Sequence, residues 1–482
     1  MSIKNQAMLI TYADSLGKNL QELREVLERH LEGVVGGIHI LPFYPSSGDR
    51  GFAPMDYTKV DPAFGDWDDL EAISRDYYFM TDFMVNHISR QSPYFQDFLK
   101  KKEASDYRDL FIRYENFWPK GEPSAQDVAL IYKRKPRAPY VTVDFEDGTT
   151  EKVWCTFDEE QIDLDVTTEC TRQFITDQLT FLANKGADII RLDAFAYANK
   201  KVGTNCFFVE PNIWDLLSYC HDVVKPHGST VLPEIHEHYT IQQKIAKKDY
   251  YVYDFALPML VLHAIYSGTA HRLKNWLEIC PRQQFTTLDT HDGIGVVDVK
   301  DLLSDEEVEE TRAALYSQGA NVKKIYSSEA YNNLDIYQIN CTYYSALGNN
   351  DRAYILARAI QCFAPGIPQI YYVGLLAGKN DIELLEQTKE GRNINRHYYD
   401  LAEIDKEVQR PIVQAVFEIL QFRNSSPAFD GEFSVELEDN ILVMQWSLES
   451  VLAKIVIDMK TQHFTITEMK EITATLIMTN PF

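Results

Sequence analysis

Apolar residues in this chain come in short dense runs, separated by stretches with helical spacing. Met8-Leu9-Ile10-Thr11-Tyr12, Gly37-Ile38-His39-Ile40-Leu41-Pro42 and Tyr78-Phe79-Met80-Thr81-Asp82-Phe83-Met84 open the series. Ala187 to Phe195, Thr230 to Ile235, Tyr251 to Phe255, Gln284 to Asp289 and Ile367 to Val373 continue it. Each run is short, rich in β-branched or aromatic residues and bounded by turn formers, which predicts a buried strand. Helical segments lie between most of them, such as Leu20 to His30, Trp67 to Asp76 behind the cap Asp66, and Thr171 to Lys185. Eight strands alternating with helices predict an α/β fold, a parallel sheet closed into a (β/α)8 TIM barrel. No G-x-G-x-x-G follows any strand, so a dinucleotide fold has no support.

Two intervals are too long for simple connections. Residues 87–166, after the third strand, read as an inserted loop-rich subdomain, and residues 293–350, after the seventh, as a second insertion. The latter opens on a helix capped by Ser304 with Glu307 three residues on, a capping-box pattern. The barrel then comprises 1–86, 167–292 and 351–432, with a long loop from Leu375 to Tyr399 and a helix from Ile412 to Arg423. From Phe433 the pattern turns to strict alternation, in Phe433 to Leu437, Ile441 to Trp446, Ala453 to Ile457 and Phe464 to Thr467. This predicts a small antiparallel β domain over 433–482.

A formal net charge of −25 argues against a nucleic-acid backbone or an anionic membrane as partner. Small molecules are the expected partners, for a monomer or homodimer. Seven cysteines without CxxC spacing read as reduced thiols, and no apolar signal region or membrane-length run is visible, so the expected location is cytoplasmic.

Candidate chemistry follows from the barrel, whose working residues lie at the C-terminal ends of the strands. Those ends carry His87, the pair Arg191 and Asp193, Glu234, and His291 with Asp292. Singly, each has a structural reading: Asp193 paired with Arg191, Glu234 as a helix cap, His291 as a satisfied core histidine. Their convergence on one rim favours a site. Two carboxylates flanking a sugar are what glycosidic chemistry needs. The arginine beside Asp193 favours its ionised, nucleophilic form. Glu234, among Val231, Leu232, Pro233 and Ile235, has the apolar surround of a general acid. Asp292 would steady the positive transition state. His236-Glu237-His238 spaces its histidines two apart, unlike a helical zinc site, so neither a metal nor a cofactor is expected.

Asp82-Phe83-Met84-Val85-Asn86-His87, Arg191-Leu192-Asp193-Ala194-Phe195, Glu234 and Thr290-His291-Asp292 resemble, in order, the four strand-end motifs of the α-amylase superfamily of glycoside hydrolases and transglycosidases. Asp49-Arg50-Gly51-Phe52, Asn333 to Gln338, Tyr371-Tyr372-Val373-Gly374 and Gly391 to Tyr399 are similar to its sucrose phosphorylase branch. The resemblance implies a nucleophile at Asp193, an acid/base at Glu234 and a stabiliser at Asp292. It implies a glucose grip of Asp49, His87, Arg191, His291 and Arg396 between the aromatic walls Phe52 and Phe157. Asp335, Ile336, Tyr337 and Gln338 would form a loop from Ala330 onward that faces fructose and phosphate in two arrangements. Phosphate needs positive charge. Lys133-Arg134-Lys135-Pro136-Arg137 is the dense basic cluster of the chain, read either as a solvated run or, with the resemblance, as supplying Arg137 to the acceptor alongside Tyr337. The implied reaction is sucrose plus phosphate giving α-glucose 1-phosphate and fructose. The alternatives are a phosphorylase for sucrose 6′-phosphate, glucosylglycerol or glucosylglycerate, or a retaining α-glucosidase.

Overall fold

A computed structural model of the protein describes residues 3–133, 137–318, 338–471 and 473–482. Eight parallel strands alternate with helices: β1 (Met8–Thr11), β2 (Gly37–Ile40), β3 (Tyr78–Met84), β4 (Ile189–Asp193), β5 (Thr230–Pro233), β6 (Val252–Asp254), β7 (Gln284–Thr286) and β8 (Ile367–Tyr371). These are the βα repeats of a (β/α)8 barrel. The chain divides into two compact units, one of Ile40–Ile235 and one of Ile3–His39 with His236–Phe482.

The first unit holds β3, β4 and β5 side by side, Met80 to Met84 in register with Ile189 to Asp193, and Ile189 to Leu192 with Thr230 to Pro233. Every residue of β3 is buried, as a strand covered on both faces must be. Its polar members are therefore paired: Thr81 with the Tyr44 hydroxyl and Asp82 with Arg191. Asp188 reaches across to accept the Phe79 amide at 2.9 Å, pinning the register in which strands three and four end together.

Between β3 and β4 the chain forms two antiparallel pairs, His87–Ser89 with Gln161–Asp163 and Tyr140–Asp144 with Thr150–Trp154. An aromatic cluster of Tyr114, Trp118 and Trp154 with Ile112 and Ile131 gives this segment a core of its own.

In the second unit β6, β7, β8, β1 and β2 follow one another across the sheet. Sheet pairing in β6 and β7 stops at Asp254 and Thr286, short of the expected Phe255 and Asp289. Asp254 ends the ladder: its carboxylate accepts the Ala256 and Leu257 amides and turns the chain out of the sheet. β8 stops at Tyr371, two residues early, where Tyr372–Leu375 turns helical. Gly374 is required in that turn: a Cβ there would lie 2.0 Å from Arg358 Nη2 and 2.5 Å from Asp289 Oδ2, atoms of a fully buried ion pair.

The second unit ends in an antiparallel sheet of five strands, β9 (Glu432–Glu438), β10 (Ile441–Leu448), β11 (Val451–Asp458), β12 (His463–Lys470) and β13 (Thr473–Thr479), hydrogen-bonded in chain order. Alternate residues of β10 to β12 are buried, as their pattern predicts. The sequence pattern predicts four strands here; the fifth, β13, is a mostly exposed edge without alternation.

Candidate active site

In the first unit the site is organised by one guanidinium. Arg191, on β4, has a side chain only 4% exposed. Its Nη1 donates to Asp82 at 2.5 Å and to Asp193 at 2.8 Å, and its Nη2 lies 3.6 Å from Glu234. Parallel register explains the grouping: Asp82 pairs with Arg191 across β3 and β4, and Glu234 follows β5 directly. The chain after Asp193 turns sharply. Ala194 takes the left-handed conformation (φ 51°, ψ 31°), and its N–H donates to Glu234 Oε2 at 3.1 Å. The two carboxylates expected to do chemistry therefore share one arginine and one turn.

The electrostatics differ from the sequence expectation. Arg191 was expected to hold Asp193 in its ionised form. Burial instead pushes the Asp193 carboxyl up, Arg191 opposes it, and the charges of Glu234 and Asp82 push it further. The reason is geometric: Asp82, with no role assigned from sequence, takes a large share of the arginine's charge. Burial and the two neighbouring carboxylates together favour the protonated form of Asp193 over the single cation that opposes them.

His87 and the aromatic walls stand in the same unit. The His87 ring is buried, its Nε2 is 2.9 Å from the Phe52 carbonyl oxygen, and Phe157 packs against it edge-on at 5.6 Å. Phe52 lies under the Arg191 guanidinium, 5.9 Å away. Asp49, also left-handed at φ 46°, is near enough for its charge to act on His87. Gly51 closes this turn (φ 106°), where a Cβ would sit 2.4 Å from the Pro42 carbonyl oxygen.

Arg137 is turned inward. Nη1 donates to the Ala138 and Tyr140 carbonyls, and Nη2 to the Phe157 carbonyl at 2.9 Å and to Cys155. In this arrangement the residue expected to meet phosphate braces the backbone beside Phe157. Arg134, Asp335, Ile336 and Tyr337 lie outside the described residues.

The second unit presents its own charged group. Asp292 lies beside His291 (3.5 Å) and Arg392 (3.1 Å), and its carbonyl accepts from Asn340 at 2.8 Å. Burial alone would raise the Asp292 carboxyl, but the charges of His291, Arg392, Arg396 and His236 hold it far below the usual range. Arg396 donates to the His291 carbonyl and lies over the Tyr12 ring, which packs edge-on against His291. Gln338 sits 3.2 Å from His236 Nε2, and the His236 ring stacks on Phe255 at 3.9 Å. His236 and His238 serve different partners, Asp298 and Asp301.

Sequence reasoning assigned no role to Asp82, Asp163, Lys200 or Arg392. Asp82 and Arg392 stand inside quoted motifs, so their position was visible. Lys200 and Asp163 come together across 37 residues, and nothing local marks them.

The chain matches the family described as "Alpha amylase, catalytic domain" over residues 14–414. It is 62% identical over 438 residues to a sucrose phosphorylase of Streptococcus mutans, covering 91% of each chain. It is 44% identical over 479 residues to a glucosylglycerol phosphorylase of Marinobacter adhaerens, covering 98% of each. Among solved structures, the sucrose 6F-phosphate phosphorylase of Thermoanaerobacter thermosaccharolyticum superposes with a TM-score of 0.93 at 43% identity, covering 99% of each chain. The chain is an enzyme of the alpha-amylase family.

Proposed function

We propose that the enzyme transfers glucose from sucrose to inorganic phosphate, with retention, through a glucosyl ester of Asp193. The observation that carries this reading is the single buried arginine joining Asp193 and Glu234. It sets two carboxylates against one guanidinium, the pair of groups a double displacement needs. The likeness to the S. mutans sucrose phosphorylase supports sucrose as donor.

In the first step the Asp193 carboxylate attacks the anomeric carbon while the Glu234 carboxylic acid delivers its proton to the fructosyl oxygen, and fructose leaves. In the second, a phosphate oxygen attacks the anomeric carbon of the glucosyl ester, Glu234 takes the phosphate's proton, and Asp193 departs as carboxylate. Asp292, held ionised, balances the positive charge that develops on the sugar in both steps. Asp49, His87, Phe52, Phe157, Arg191, His291 and Arg396 grip the glucose. Arg137 takes phosphate by exchanging its Phe157 and Cys155 contacts for phosphate oxygens, and Asp335, Ile336, Tyr337 and Gln338 line the acceptor side. The enzyme works in the cytoplasm as a monomer or homodimer; seven free cysteines support that location.

Product analysis of purified enzyme with sucrose tests the reading. Phosphate should convert the products to fructose and α-glucose 1-phosphate; release of glucose and fructose alone, at a rate indifferent to phosphate, would refute it. The likenesses to a glucosylglycerol phosphorylase and to a sucrose 6F-phosphate phosphorylase make glycerol and fructose 6-phosphate, respectively, the informative competing acceptors in the reverse direction.

A further inference from the structure

Lys200 is buried, with a side chain 2% exposed, in the loop that follows β4. Its three ammonium protons meet three oxygens from three chain segments. They are Asp163 Oδ2 at 2.8 Å, the Tyr197 carbonyl at 2.8 Å and Asn86 Oδ1 at 2.9 Å. Asp163, fully buried, also accepts from the Thr156 amide and hydroxyl, so the pair is fully bonded. A buried lysine costs folding energy unless it is paired in this way, and even then it is weak evidence for stability. Its position suggests a second use.

The Asn86 amide has two ends. Its oxygen is taken by Lys200, so its nitrogen must face the other way, and it lies 3.3 Å from His87 Nδ1. An amide nitrogen only donates, so Nδ1 must accept. The ring proton is then on Nε2, which faces the Phe52 carbonyl oxygen at 2.9 Å. The Gln161 amide nitrogen lies 3.2 Å from the same Nε2, but its oxygen accepts the Asp158 amide and its nitrogen donates to the Phe52 carbonyl at 2.9 Å; a carbonyl can only accept, so both nitrogens donate to it and neither to the other.

We propose that Lys200 is a positioning residue for catalysis: by fixing the Asn86 amide it holds His87 in the neutral, Nε2-protonated form. The charged groups around His87 are Asp163, Asp49 and Lys200. Burial keeps the ring neutral, the two carboxylates work against that, and the ammonium sides with burial. A doubly protonated ring would set an Nδ1–H against the Asn86 amide protons. Tyr197, whose carbonyl Lys200 holds, packs its ring on Phe157 at 5.1 Å, so the same ammonium steadies one aromatic wall.

Two variants test this. Lys200→Met keeps the length and removes the charge. The expected result is a fall in kcat/KM of about 10- to 100-fold, with the acid limb of its pH profile moved to higher pH because Asp163 is left uncompensated beside His87. Asn86→Asp keeps an oxygen for Lys200 but places an acceptor at Nδ1. The expected result is a doubly protonated His87, read in the 15N shifts of the ring by NMR at neutral pH, and the same upward movement of the acid limb. The NMR readout needs no substrate, so it stands or falls apart from the assignment of sucrose and phosphate. Unchanged His87 15N shifts in Asn86→Asp would overturn the proposal. So would a folded Lys200→Met enzyme with the parent's pH profile, or one whose activity falls only in proportion to its unfolded fraction.

Discussion

Asp82→Asn tests the claim that a third carboxylate draws Arg191 away from Asp193. Asp82 and Asp193 both bond the same Nη1 atom, so their nearest oxygens lie within about 5 Å of each other. At an effective dielectric of about 20, two such charges repel by roughly 3 kcal/mol. That corresponds to about 2 pH units in the ionisation of Asp193. The asparagine preserves shape and one hydrogen bond, but it anchors the guanidinium less firmly, which offsets part of the gain. The acid limb of kcat/KM should therefore move down by roughly one to two pH units. The sign follows from charge: a lost negative neighbour makes Asp193 easier to ionise. The assay is the initial rate of phosphate-dependent glucose 1-phosphate formation from sucrose between about pH 4 and 8. An acid limb that stays in place or moves upward, in a variant that folds, would refute the account of how the charges are shared.

Three further outcomes are expected. Glu234→Gln should slow sucrose by about 10²- to 10⁴-fold, but α-glucosyl fluoride, which needs no proton to leave, far less; equal losses on the two donors would contradict the acid role. Arg137→Ala should impair ester formation as well as phosphate use, because the guanidinium braces the Phe157 carbonyl; pre-steady-state fructose release at the parent rate would leave Arg137 with phosphate alone. His397, bonded to Asp381 at 2.5 Å and to Glu403 at 3.0 Å, should make the segment carrying Arg392 and Arg396 pH-sensitive. Burial alone would lower His397, but these hydrogen bonds outweigh it and raise it. With the folded value above the unfolded one, near 6.5, the contribution is fully present below the unfolded value. It is lost as pH rises through the folded one. Hydrogen exchange in residues 391–396, corrected for its intrinsic pH dependence, should therefore quicken above neutrality, and His397→Gln should abolish that change.

The barrel was legible because each strand is a short apolar run whose neighbours break it. β3 and the helix Leu20–His30 match their predicted limits, and Asp66 and Ser304 cap the helices assigned to them. What failed lacked a periodic apolar signal. The stretch from Leu375 to Tyr399 reads as loop, yet it contains the helix Ile382–Thr388, which buries only Leu385 and is capped by Asp381. β13 escaped notice because an exposed edge strand needs no alternation. The charged strand ends drew attention to Asp193, Glu234 and Asp292, whereas the way Asp82, Asp193 and Glu234 divide Arg191 did not show. It depends on register: Asp82 is 109 residues from Arg191 and reaches it only because β3 and β4 align.

Ala194 carries the last consequence. An alanine with φ 51° sits about 1–2 kcal/mol above its relaxed backbone, one step beyond the Asp193 carboxylate. The fold thus invests part of its slender surplus of stability in aiming a single main-chain amide. Glycine at 194 should return that investment as a higher melting temperature while loosening the aim, and valine should raise the strain. Selecting variants of this enzyme for heat resistance would then favour Ala194→Gly, and turnover would decline as the melting point climbed.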